Sequence, residues 1–111
     1  MKLPSLKELL EGELTEDKIR TLKAAAAEFS EQGRCLELQG LPEQAEQVLL
    51  LSLGIRSFLF EKTSEESEAR AAREDCTSLA DLSMQLGNMH GADFYYAKAL
   101  EYGGEIHGKG R

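Results

Sequence analysis

A chain of 111 residues has room for one compact domain and too little for two ordinary ones, so a single domain over residues 1–111 is expected. With 20 acidic residues against 13 basic ones, a formal charge of -7, it lacks the concentrated lysine and arginine of a phosphate-tracking surface. That balance excludes nucleic acid as the expected partner and favours a basic or neutral one.

The predicted elements are all helices. The first is short, Ser5 to Glu11, opened by a capping box in which Glu8 follows Ser5 by three residues, with Leu6, Leu9 and Leu10 on one side. The second follows Thr15 as its N-cap and runs from about Glu16 to Gln39, carrying Ile19, Leu22, Ala26, Phe29, Gly33 and Leu36 at alternating steps of three and four.

The third begins at Pro42, whose missing N–H is harmless in a first turn, and extends to about Glu61. It is apolar almost all round and should be central. Gly54 inside it costs about 1 kcal/mol relative to alanine, so it is either tolerated or marks a close helix crossing or a bend.

The fourth is opened by a capping box from Thr63 to Glu66 and runs to about Leu86, with Ala69, Ala72, Cys76, Leu79, Ser83 and Leu86 as its stripe. The fifth follows Asn88, carries Ala92, Tyr95, Tyr96, Ala99 and Leu100, and is expected to stop at Gly103-Gly104. Tyr96 is expected in the core, Tyr95 is left open, and a loose tail is expected after Ile106.

Laid on itself with an offset of 47 residues, the chain brings Gly33 onto Ala80, Gly40 onto Gly87, Ala45 onto Ala92, Leu49 onto Tyr96, Ser52 onto Ala99 and Leu53 onto Leu100. Small meets small and large meets large. Two helices of a hairpin approach closely only where side chains are small, and bulky neighbours fill the space one turn away.

Leu86-Gly87-Asn88-Met89 followed by Ala92, Tyr96 and Ala99-Leu100-Glu101 resembles the second half of a tetratricopeptide repeat. Gln39-Gly40-Leu41-Pro42, Ala45, Leu49 and Ser52-Leu53 resemble a weaker copy. Phe29 or Cys76 matches the large position of the preceding helix and Gly33 or Ala80 the small one. The offset exceeds the usual repeat of about 34 residues, and Leu53 to Lys62 and Ala99 to Gly108 resemble the kinesin light chain-like branch. No proline closes either unit.

The resemblance implies an all-α fold in which two helical hairpins, about residues 16–61 and 63–106, form an α-α superhelix after the short N-terminal helix. It also implies a protein-interaction module or scaffold whose concave surface, lined by the first helix of each pair, holds a peptide or partner helix. The matching positions are Ser30, Glu31, Arg34 and Glu37, then Thr77, Ser78, Asp81 and Gln85. The basic, asparagine-bearing clamp of relatives that bind chaperone tails is missing. The alternative is a self-associating structural or adaptor subunit, and the flat apolar flanks of so short an array lead us to expect a homodimer.

Little in the sequence points to chemistry. His90 and His107 lack an i, i+4 partner, Cys35 and Cys76 lack the paired spacing of a zinc site, and no phosphate loop, HExxH, GxSxG or CxxC occurs. Glu65, Glu66 and Glu68 read as acids complementing a helix N-terminus. No enzyme activity, metal or cofactor is expected. No apolar run reaches the roughly 18 residues of a membrane span, and Met1-Lys2-Leu3-Pro4 does not lead into a signal peptide's apolar stretch, so a cytoplasmic protein is expected.

Overall fold

Four helices follow one another among the described residues: α1 (Glu16–Leu38), α2 (Pro42–Thr63), α3 (Glu66–Gln85) and α4 (Met89–Gly108). The computed structural model describes residues 10–108, with side chains through residue 103, and assigns no strand among them. Of the short helix expected over Ser5 to Glu11, all but the last two positions lie outside the described residues. Among the described residues no helix is long and apolar enough to cross a membrane.

The helix starts follow from local chemistry. The Thr15 hydroxyl accepts from the backbone N–H of Lys18 at 3.2 Å, and Glu16 and Asp17 sit where the helix dipole favours negative charge. Pro42 occupies the first turn of α2. The Asn88 side chain accepts from the Gly91 N–H at 2.9 Å.

The two Gly turns share one geometry. After α1, Gly40 takes φ +77°, its N–H reaches the Glu37 carbonyl at 3.0 Å and the Leu41 N–H reaches that of Leu36 at 2.9 Å. After α3, Gly87 at φ +78° and Asn88 repeat both bonds to Met84 and Ser83. This paired closure uses a left-handed residue, which glycine adopts without a Cβ penalty.

Two expected boundaries fall elsewhere. Thr63 does not cap α3: α2 runs through it, its hydroxyl donates to the Leu59 carbonyl at 2.7 Å, and Ser64 takes the left-handed cap at φ +59°. The N-cap of α3 is Glu65, whose N–H donates to the Thr63 hydroxyl at 3.3 Å. Gly103-Gly104 does not end α4, which continues to Gly108. Glycine stops a helix where the chain must turn through positive φ, and here it simply continues.

Close packing joins consecutive helices, α1 to α2, α2 to α3 and α3 to α4. Between α1 and α2, Leu22, Ala26, Ile55 and Leu59 are buried with Leu14, Ile19 and Phe29 packed against them. Among α2, α3 and α4, Leu49, Leu53, Ala69, Ala72, Cys76, Leu79 and Tyr102 form a second cluster. Each fully buried leucine contributes roughly 1.5 to 3 kcal/mol. α2 serves both clusters, which makes it the central helix that its apolar circumference predicts.

The close approach of the first hairpin lies at Gly33, where a Cβ would stand 2.7 Å from Cγ of Leu49. Gly54 marks no such crossing, since a Cβ there would meet nothing within 4 Å. Helices two apart in the chain also meet. Lys23 pairs with Glu65 at 2.8 Å, Ser30 with Asp75 at 3.0 Å and Glu37 with Gln85 at 3.2 Å, all in ascending order on both sides, so α1 and α3 lie side by side and parallel. Tyr102 ties α4 to α2 through the Ser57 hydroxyl and the Phe60 ring. The result is a slab of 44 × 40 × 18 Å.

Candidate interaction surface

Seven of the eight expected partner-binding positions are exposed or half-buried, on α1 and α3. Glu31 pairs with Arg34 at 3.5 Å one turn away. Glu37 accepts from Gln85 across the two helices, Ser78 is half-buried, and the exposed Thr77 donates to the Arg73 carbonyl at 3.0 Å. Asp81 accepts from the Tyr96 hydroxyl at 2.7 Å, a bond that raises the Tyr96 pKa above its ordinary value.

Ser30 is a correction. It is 5 % exposed and belongs to the interior, because α3 closes over it. Tyr96 is the opposite correction: it is exposed, its hydroxyl reaches Asp81 of α3, and none of the other described helices covers it. Tyr95 is half-buried against the second apolar cluster.

The side chains around Ser30 form a polar joint between the two apolar clusters. The Ser30 hydroxyl donates to one oxygen of Asp75 at 3.0 Å and the Ser52 hydroxyl to the other at 2.6 Å. The Arg56 guanidinium reaches the same carboxylate at 3.2 Å and also both serine oxygens, at 3.1 and 3.3 Å. One residue of α1, two of α2 and one of α3 are thus fastened at one point. Burial pushes the Asp75 carboxyl up in pKa, against the opposing pull of Ser52, Arg56, Ser30 and Arg34.

Seven residues earlier on α3, Glu68 is also buried, and one of its oxygens has no hydrogen-bond partner. Burial raises its pKa first, with Arg56 and Lys23 opposing and Glu65 adding to the rise. The same environment explains Cys76, whose thiol burial pushes up to about 11, while Cys35 is exposed. Among the described residues, no three His, Cys, Asp or Glu side chains are grouped to hold a metal ion.

Comparisons with family models, curated proteins and solved structures match nothing. The site therefore has to be read from its own side chains. Sequence reasoning passed over Asp75 and read Glu68 only as an acid complementing a helix N-terminus, because both sit in acid-rich stretches, whereas both are buried. The available signal was positional: both lie seven apart, flanking the buried stripe of Ala69, Ala72 and Cys76.

Proposed function

We propose that the chain is a protein-interaction module, built as two tetratricopeptide-like hairpins, whose face across α1 and α3 binds an extended peptide or partner helix of basic or neutral character. The observation that supports this reading is the parallel, side-by-side placement of α1 and α3, with Glu37 and Gln85 bonded across the two helices and Glu31, Arg34, Ser78 and Asp81 exposed or half-buried on them. Three of these six are acidic and one is basic, so complementarity would act on association rate and selectivity, and would weaken with salt. The resemblance to tetratricopeptide repeats supports the same surface. The unpaired cysteines fit a reducing, cytoplasmic setting.

The test is affinity capture with the intact chain, followed by the same capture with Glu37→Lys and Asp81→Lys combined. Loss of the captured polypeptide is expected, with circular dichroism confirming that the double variant is folded. Retention of the same polypeptide with unaltered salt dependence would move the binding surface elsewhere.

A further inference from the structure

We propose that copies of this chain dock head to tail, the exposed face of α1 of one copy entering the free side of the second hairpin of another, so that the stack continues beyond a dimer. The inference goes beyond the peptide-binding reading and does not depend on what the α1–α3 face holds.

The 47-residue repeat places the two halves of one joint at opposite ends of the molecule. Between the hairpins, Leu49 and Leu53 are buried in one cluster with Ala72, Cys76, Leu79 and Leu82 of α3. The second hairpin repeats the receiving half: Tyr96 and Leu100 stand at the positions of Leu49 and Leu53, yet are 39 % and 77 % exposed. α1 repeats the entering half. On α3, Asp75, Leu79, Leu82 and Ser83 are buried, whereas their counterparts on α1, Glu28, Gln32, Cys35 and Leu36, line an open cavity of about 490 Å³. None of the described helices covers either half. A foreign helix would cover one of them. A second copy, placed by the step that relates α1 to α3, covers both at once.

That step names the contacts between copies. Glu37 and Gln85 bond across the junction inside the molecule, and their counterparts are Met84 of one copy and Leu38 of the next, 49 % and 89 % exposed, an apolar pair in place of a polar one. Asp75 is received by Ser30, Ser52 and Arg56, and its counterpart Glu28 arrives at Thr77, Ala99 and Gly103. Arg73 supplies the missing guanidinium, for its side chain lies 3.7 Å from the point where a Cβ on Gly103 would stand. Two charges oppose this pairing. Asp81, the counterpart of Arg34, flanks Glu28, and Arg70, the counterpart of Lys23, meets Lys18 in place of Glu65. Each already has a partner within its own chain, Asp81 in the Tyr96 hydroxyl and Arg70 in Glu66 at 3.7 Å. With charges of both signs on this rim, the apolar contacts drive association, and Glu28 with Arg73 sets its register.

The experiment is sedimentation velocity on the intact chain from micromolar to millimolar concentration, under reducing conditions that keep the exposed Cys35 from cross-linking. The average mass is expected to rise past that of a dimer without a plateau, as an open head-to-tail contact requires. Leu100→Arg and Glu28→Arg, both at exposed positions, are each expected to weaken association by about tenfold or more. An equal mixture of these two variants should form a one-to-one dimer that grows no further, because only α1 of the first and the second hairpin of the other remain intact. Arg73→Glu added to Glu28→Arg in the same chain should restore growth. A chain that stays monomeric, a mass that levels off at a dimer, indifference to Glu28→Arg, a mixture that does not associate, or a charge exchange that restores nothing overturns the proposal.

Discussion

Replacing Gly33 by alanine sets two known effects against each other at one position. Inside a helix the change is stabilising by up to about 1 kcal/mol through propensity alone. At Gly33 the new methyl would stand 2.7 Å from Cγ and 2.9 Å from Cδ2 of Leu49, a side chain that is itself wedged between α1 and α3. Such overpacking costs about 1 to 3 kcal/mol. Gly54→Ala supplies the control, since the same propensity gain applies and the methyl meets open space. In the difference between the two variants the propensity gain cancels and the clash remains, about 1 to 3 kcal/mol. Urea unfolding followed by far-ultraviolet circular dichroism measures both, with Gly54→Ala raising the midpoint and Gly33→Ala lowering it relative to that control. Adding Leu49→Ala to Gly33→Ala should cost less than Leu49→Ala alone, because the clash is removed with the leucine. If Gly33→Ala proves as stable as Gly54→Ala, the hairpin does not close at Gly33 and the packing of α1 on α2 is wrong.

Two further outcomes follow from the buried carboxyls. Glu68 has a folded-state pKa raised above its ordinary value, so the folded state binds its proton more tightly than the unfolded chain does. Its contribution to stability therefore grows as pH falls from neutral through the folded pKa. Glu68→Gln should raise the urea midpoint at neutral pH and flatten the gain seen on mild acidification; an unchanged pH slope would place Glu68 in solvent. Asp75→Ala leaves the half-buried Arg56 without its carboxylate and should cost up to about 3 to 5 kcal/mol, whereas Asp75→Leu combined with Arg56→Leu should recover most of that loss. Equal instability of the single and double changes, measured by the same unfolding curves, would assign the loss to packing and not to the unpaired charge.

The helices were legible because the information that specifies them is local. The stripe from Ile19 to Leu36 repeats every three or four residues, and Thr15, Pro42 and Asn88 punctuate the chain through bonds to residues within one turn. The same-face stripe of α3 is buried as expected through Ser83. What the sequence left unread depends on which helices lie side by side. Ser30 looks like a solvated serine until α3 is placed beside α1, and Asp75 looks like one acid among several until Ser52 and Arg56 are placed against it. Tyr96 fails in the other direction. The repeat assigns it a core position by analogy with Leu49, but a core position also needs a neighbour to cover it, and in the second hairpin none of the described helices does so.

Because close packing links consecutive helices, the molecule resembles a short flight of steps more than a closed ball. A pulling force applied at its two ends would pass through the interfaces one after another, with no broad contact to share the load. Two side-chain joints reach past a neighbouring step: Ser30, Ser52, Arg56 and Asp75 clamp three of the four described helices at a single point, and Tyr102 pins α4 to α2. Under tension the three helices riveted by the polar joint should hold together until the rivet itself is sheared.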